Sequence, residues 1–290
     1  SGLASAYAAA QNGAKVILAE DKPRFGGSLL TSEVTIGNQS GQEWAEKIIS
    51  ELKSMPNVVV KNRSQVFGYY DHNMLVMSER ISDHLPKTEK YIPKQRLWYI
   101  RAKEVIISSG SIERPLVFGN NDTPGVMLSS AAKEYLKIYG VLVGKKPLVF
   151  TNNDSGYETA IEFKKNGIDP IILDTRKDPN SEIIQEAKDL NINIKTSYVV
   201  VAAKGYKKVN SADIAKLSDD KKNVSNIENI KCDCICVSGF WTPTIHLASQ
   251  SGNKTKFNEE IDAFIPSKSK QKETTLGSAN GIFTLEETLK

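Results

Sequence analysis

Apolar and polar positions along the chain fall into runs of two periods. Residues 3–11 carry small apolar side chains on a helical repeat and stop at Asn12-Gly13, a helix-ending pair. Residues 15–19 form a short apolar run closed by Glu20 and Asp21, which predicts a strand. Trp44, Ile48, Ile49 and Leu52 recur at helical spacing within residues 43–55, and Val58-Val59-Val60 predicts the next strand. Residues 66–70, 74–77, 97–100 and 105–107 read as β, the last run ending in Ser108-Ser109-Gly110. A loop at 119–125 and a helix over 129–139 follow. Then the alternation restarts, with a strand at 148–151, a helix at 156–165, a strand at 171–173, a helix at 183–190 and a strand at 192–195. Residues 198–202 with the Lys-rich stretch 204–222 predict a hairpin with a solvated turn, residues 235–237 a strand, and the chain closes on a helix near Thr284. Strands alternating with helices, twice over, predict an α/β fold with parallel, doubly wound sheets.

Composition narrows the classes. Of 290 residues, 38 are Lys or Arg and 34 Asp or Glu, giving a net charge of +4 with no dominant basic block. That excludes a dedicated nucleic-acid binder. No apolar run approaches the ~18–20 residues that a membrane span needs. Cys232, Cys234 and Cys236 make no disulfide framework, so a reducing, cytoplasmic setting is expected. The chain starts at Ser1 without Met and runs straight into a helix, so a fragment of a longer subunit is expected.

Several constellations could carry chemistry. Ser1-Gly2 opens a helix, and Glu20 follows the next strand at about the spacing of a dinucleotide turn and its ribose-binding acid. In such a turn the last glycine permits close helix–strand packing, and the helix start meets the pyrophosphate. Glu20 favours an unphosphorylated ribose. The pair Gly26-Gly27 permits close backbone approach, with the Ser28 hydroxyl beside it. Ser108-Ser109-Gly110 fits a sheet edge beneath a cofactor, although a strand that simply ends at Gly accounts for it by itself. Residues 151–156 occupy the corresponding turn of the second unit, but with one glycine and with Asp154, whose carboxylate would cap the helix and repel phosphate. The second unit therefore reads as a degenerate nucleotide fold. Strand spacing would put all three cysteines on one face, and neither a zinc nor a redox pattern is formed. His72, His84 and His246 form no triad or metal spacing, and no metal is expected. Arg96, Trp98 and Arg101 read as a partly exposed strand.

Longer strings carry a resemblance. These are Phe25-Gly-Gly-Ser-Leu-Leu30, Val66-Phe-Gly-Tyr-Tyr-Asp-His-Asn73, Gln95-Arg-Leu-Trp98 and Ile112-Glu-Arg-Pro-Leu-Val117. With them go Asn120-Asn-Asp122, Pro124-Gly-Val-Met127, Phe150-Thr-Asn-Asn-Asp-Ser155 and His246-Leu-Ala-Ser-Gln-Ser-Gly252. Together the chain resembles the α subunits of heterotetrameric sarcosine oxidases. The resemblance implies a Rossmann-type fold of the two-dinucleotide-binding-domain flavoprotein kind. A NAD-binding domain would span 1–118 and 238–290, with its first strand missing, and a second α/β domain would be inserted at 119–237. It implies oxidative demethylation of sarcosine to glycine with oxygen and tetrahydrofolate, in an assembly with β, γ and δ subunits. FAD and FMN would belong mainly to the β subunit, and tetrahydrofolate to a C-terminal half beyond this chain. By motif position, Ser1 and Gly2 would meet the pyrophosphate of NAD, and Glu20, Asp21, Lys22 and Ser28 its adenosine side. Val66 would lie beside the adenine, and Ala279, Phe283 and Thr284 at the nicotinamide end. No side chain is expected to act as a catalytic group. A related amine or opine dehydrogenase subunit, a free-standing flavin reductase and a purely structural subunit are the other readings; flavin reductases use a C-x-x-C or an intact second phosphate loop, and this chain has neither.

Overall fold

The computed structural model describes residues 1–289 and divides into two units, Ser1–Ile112 with Thr242–Lys290, and Glu113–Trp241. In the first unit, helix α1 (Gly2–Gln11) buries Leu3, Ala6 and Ala10. Small residues let it pack against helix α2 (Gly41–Ser54), which buries Ala45, Ile48 and Leu52 in the same cluster. A reciprocal box starts α2: the Glu43 N–H donates to Ser40 Oγ at 3.2 Å, and the Ser40 N–H donates to Glu43 Oε2 at 2.9 Å. Strands β1 (Val16–Ala19) and β2 (Val58–Lys61) run parallel, in register from Val16↔Val58 to Ala19↔Lys61. Strands β3 (Ser64–Tyr70), β4 (Met74–Arg80) and β5 (Gln95–Arg101) make an antiparallel sheet in that order, and β6 (Val105–Ile107) follows. On β5, Trp98 Nε1 donates to Glu79 Oε2 at 2.7 Å, and Lys61 and Arg96 lie over its ring. Trp98, Lys61 and Arg96 thus converge on the Glu79 carboxylate.

The second unit holds a five-stranded parallel sheet. Its strands are β7 (Val126–Leu128), β8 (Pro147–Thr151), β9 (Ile171–Asp174), β10 (Asn193–Thr196) and β14 (Cys234–Ser238), in the order β7-β14-β8-β9-β10. Every residue of β8 and β14 is buried, as expected of central parallel strands covered on both faces. Helices α3 (Ser129–Tyr139), α4 (Ser155–Lys165) and α5 (Glu182–Asp189) supply one covering layer. The antiparallel sheet of β11 (Tyr198–Lys204), β12 (Ser211–Leu217) and β13 (Val224–Ile230) belongs to the other. Returning to the first unit, the chain forms α6 (His246–Gln250), the pair β15 (Thr255–Asn258) and β16 (Ala263–Pro266), β17 (Glu273–Thr275) parallel to β6, and α7 (Leu285–Leu289). Among the described residues no helix is long and apolar enough to cross a membrane.

Two expectations need correction. The stretch 204–222 is not one solvated turn, because β12 lies within it and fully buries Ala212, Ile214 and Ala215. Its polar neighbours mask it, as where Lys204 pairs with Asp213 at 2.9 Å. The three cysteines do not share a face: β14 begins at Cys234, so the pleat that aligns Cys234 and Cys236 stops short of Cys232, which joins the opposite cluster. The two compact units divide at 112/113 and 241/242, close to the expected domain limits of 118/119 and 237/238. Phe118 is buried in the second unit, with its ring 6.0 Å from that of Phe150.

Candidate functional site

The first unit brings one group of predicted residues together. A Cβ on Gly2 would lie 3.1 Å from Ser108 Cβ, so α1 starts hard against the carboxyl end of β6. Gly277, at φ +64°, closes on Ser1, where a Cβ would sit 2.5 Å from Ser1 Oγ. The turn Gly277–Asn280 is anchored by the Leu276 N–H, which donates to Ile107 C=O at 2.9 Å, and Ala279 is fully buried. Ser1, Gly2 and the turn carrying Ala279 therefore meet at the carboxyl ends of β6 and β17. Ser108 falls in the string already singled out as a possible sheet edge beneath a cofactor, whereas Gly277 was not predicted as a site residue. Their signals were small residues ending a strand and one glycine in a polar string. Thr284 starts α7, accepting the Glu287 N–H at 3.4 Å and donating to Glu287 Oε2 at 2.6 Å. Phe283 is half-buried.

A second group forms at the end of β1. The Glu20 N–H donates to Lys61 C=O at 2.9 Å, and the Glu20 C=O accepts from the Ser64 N–H at 2.8 Å. Its carboxyl takes the Lys22 N–H at 3.1 Å. Burial is the main influence on that carboxyl. Together with a hydrogen bond to Asp21, it pushes the group up to about 7, against the downward pull of the Lys22 N–H. Asp21 and Lys22 are exposed on the same turn. Val66 lies two residues beyond Ser64 on β3, opposite Met77 and next to a bulge ending at Gly68. Ser28 is exposed in the turn Gly27–Leu30, entered through Gly26 at φ +129° and Gly27 at φ +55°, conformations that favour glycine.

The corresponding place in the second unit is filled by its own side chains. Gly156 keeps the close-packing role, since a Cβ there would lie 2.6 Å from Thr151 Cβ. The turn before it is laced shut. Thr151 Oγ1 donates to Asn153 C=O at 2.8 Å, Asn153 Nδ2 donates to Ser238 C=O at 3.0 Å, and the Ser155 N–H donates to Asn153 Oδ1 at 2.9 Å. Trp241 Nε1 donates to Ser155 Oγ at 3.0 Å. Asp154 does not cap α4 as expected; its carboxylate instead pairs with Arg176 at 2.8 Å, and Asn153 takes the capping role. Asp174, at the end of β9 where a ribose-binding acid belongs, is fully buried. It accepts Arg176 Nη2 at 2.8 Å and Tyr157 OH at 2.8 Å.

These arrangements define a class: a Rossmann-type protein of the two-dinucleotide-binding-domain kind, with one nucleotide fold inserted into another. The chain belongs to the pyridine nucleotide-disulphide oxidoreductase family, whose model matches residues 1–266. It is 36% identical over 265 residues to the sarcosine oxidase subunit alpha of Rhizobium meliloti (strain 1021), covering 91% of this chain and 26% of that protein. To the sarcosine oxidase subunit alpha of Corynebacterium sp. (strain U-96) it is 31% identical over 285 residues, covering 97% of this chain and 29% of that protein. The chain thus spans between a quarter and a third of these relatives. Among solved structures, thioredoxin reductase of T. acidophilum matches with a TM-score of 0.74 at 16% identity, over 99% of this chain and 90% of that one. L-proline dehydrogenase from P. horikoshii matches with a TM-score of 0.67 at 20% identity, over 96% and 48%. At these identities the structural likenesses concern the fold.

Proposed function

We propose that this chain is the NAD-binding region of the α subunit of a heterotetrameric sarcosine oxidase. The observation that carries the NAD reading is the contrast between the two nucleotide folds. The first keeps a glycine-packed helix start and an acid at the end of β1, while the second closes both positions with its own side chains. The residues of the first fold suit a dinucleotide. Gly2 lets the pyrophosphate approach the start of α1, where helix N–H groups and the helix dipole favour an anion. Glu20, with Asp21 and Lys22 on its turn, holds the adenosine ribose. Ser28 and the Val66 backbone border the adenine side, and Ala279, Phe283 and Thr284 border the nicotinamide end. When bound, NAD supplies a ring that accepts a hydride. No side chain of this chain serves as the reacting group.

The assembled enzyme would oxidatively demethylate sarcosine to glycine with oxygen and tetrahydrofolate. It would yield hydrogen peroxide and 5,10-methylenetetrahydrofolate, or formaldehyde. FAD and FMN would be carried mainly by β, the one-carbon chemistry by a folate-binding half of α, and γ and δ would complete a cytoplasmic assembly. Co-expression of all four subunits tests this reading. Sarcosine turnover should require α, and the assembly should bind NAD in equilibrium dialysis. Gly2→Val should abolish that binding, because its branched Cβ has no room beside Ser108. Equal turnover without α would end the sarcosine oxidase reading. No binding at millimolar NAD would leave the first fold as a scaffold.

A further inference from the structure

A shallow depression of about 550 Å³ lies in the first unit, walled by the hairpin tip at 71–73, Lys103 and the segment 270–272. It sits at the amino end of the parallel pair β6 and β17, where the Val105 N–H donates to Lys272 C=O at 3.0 Å. Ser1, Gly2 and Ala279 meet at the carboxyl ends of the same strands, so the two places are at opposite ends of the pair. Two strings singled out in the sequence, 66–73 and 246–252, come together here without serving the dinucleotide.

The walls are tied by two amides. Asn73 is buried at φ +52°. Its Nδ2 donates to Lys103 C=O at 3.1 Å and to Lys272 C=O at 3.0 Å, and its Oδ1 accepts Tyr69 OH at 2.9 Å. The Asn73 N–H donates to Gln271 Oε1 at 2.8 Å, while Gln271 Nε2 donates to Tyr70 C=O at 3.2 Å and to Ser251 C=O at 3.0 Å. One side-chain amide thus fixes the backbones of two lysines that are remote in sequence. The third, Lys270, lays its stem across Gly252, where a Cβ would come within 3.1 Å of Lys270 Cδ.

All three lysines are exposed, and none makes an ion pair among the described residues. The lining also holds His72 and one acid, Asp71, so three lysines and one acid border the depression. A hydrogen-bonded frame that gathers like charges around one concavity favours an anion there, because each ammonium lowers the potential energy of the same incoming charge. Lysine is a compact point charge without the planar fork that arginine offers to carboxylates. A phosphate group near a charge of about −2 draws more from such charges than a single carboxylate does.

We propose that this depression is a binding site for a phosphate-bearing small molecule, separate from the dinucleotide site. Isothermal titration of the full chain with inorganic tripolyphosphate at low salt tests it, with citrate as the carboxylate arm. Lys103→Met, Lys270→Met and Lys272→Met combined should weaken tripolyphosphate by about tenfold or more, as expected from losing three exposed charge contacts. The corresponding triple Lys→Arg variant should keep binding within a few-fold and shows that the surface still folds. Citrate should bind more weakly than tripolyphosphate. Unchanged binding in the triple Met variant, or citrate binding as tightly as tripolyphosphate, would overturn the proposal.

Discussion

Glu20 makes the NAD reading sensitive to pH. Burial, aided by a hydrogen bond to Asp21, raises its carboxyl from an ordinary 4.5 to about 7. Near neutrality it is about half ionised. An ionised carboxylate accepting a ribose hydroxyl gains roughly 1.5–3 kcal/mol, against about 0.5–1.5 kcal/mol for a neutral acceptor. A difference of about 1 kcal/mol is about fivefold in affinity. NAD affinity should therefore rise about fivefold as pH climbs through about 7, with the ionised form binding better. The stability sign is opposite. The folded state holds this proton more tightly than the unfolded chain, so Glu20 favours folding at low pH and loses that contribution as pH rises from 4.5 to about 7. Glu20→Gln keeps the shape, fixes the group neutral and should flatten both profiles. Equilibrium dialysis with labelled NAD across this pH range, with thermal melts on the same samples, reads both effects. A wild-type affinity independent of pH, or a rise that persists unchanged in Glu20→Gln, would refute the assignment of Glu20 to the ribose.

Three further outcomes are expected from stability measurements. Arg176→Met leaves the fully buried Asp174 with only Tyr157 OH and the residue 176 N–H as partners. Loss of a buried charge's partner, reduced because the guanidinium is 32% exposed, should cost about 2–4 kcal/mol in denaturant melts; a loss under about 1 kcal/mol would show that the pair is dispensable. Gly156→Ala sets about 1–3 kcal/mol of overpacking against Thr151 against a helix-propensity gain of at most about 1 kcal/mol, so crowding should win and the protein should be destabilised. A stabilised variant would mean that Thr151 moves aside freely. Ser40→Ala opens the box at the start of α2 and should lower stability by about 1 kcal/mol, and an unchanged melting temperature would show that the box contributes nothing.

Most of the α/β alternation was legible because its apolar runs are short, continuous and bounded by Gly, Asn or acids. Strand β8 is apolar throughout its core, and the run Ser129–Tyr139 matches the helix found. The site was legible only where a single residue type is demanded by backbone geometry. Gly2 and Glu20 stand out by spacing and Ser108 by its strand end, whereas Gly277 does not, since its close approach to Ser1 joins segments remote in sequence. Strand β12 was lost because Asp213, Lys216 and the charged residues on either side of the strand hid Ala212 and Ile214. Asp154 was misread because a carboxylate just before a helix caps by default, and nothing local announces that Arg176 will compete for it. Resemblance to a family supplied the adenine and nicotinamide neighbours, which local pattern does not define.

The two nucleotide folds differ in what occupies the same two positions, and the occupation of the second is cooperative. Asn153 ties the Ser155 N–H and the Ser238 C=O, filling the turn where a pyrophosphate would lie. Arg176 binds Asp154 and Asp174 together, so one guanidinium both neutralises the carboxylate that faces the turn and takes up the acid that a ribose would need. Removing Arg176 would not reopen the fold. It would free Asp174 but leave Asp154 unneutralised at the anion position and the Asn153 lacing intact. Removing Asn153 would free amides while Arg176 still held Asp174. On the proposed reading each lock makes loss of the other insufficient, so no single substitution at these positions is expected to give the second fold a dinucleotide site. The first fold has neither lock. Its acid takes the Lys22 N–H and lies beside Asp21 on the same turn, an arrangement that a ribose hydroxyl can join without displacing a buried pair.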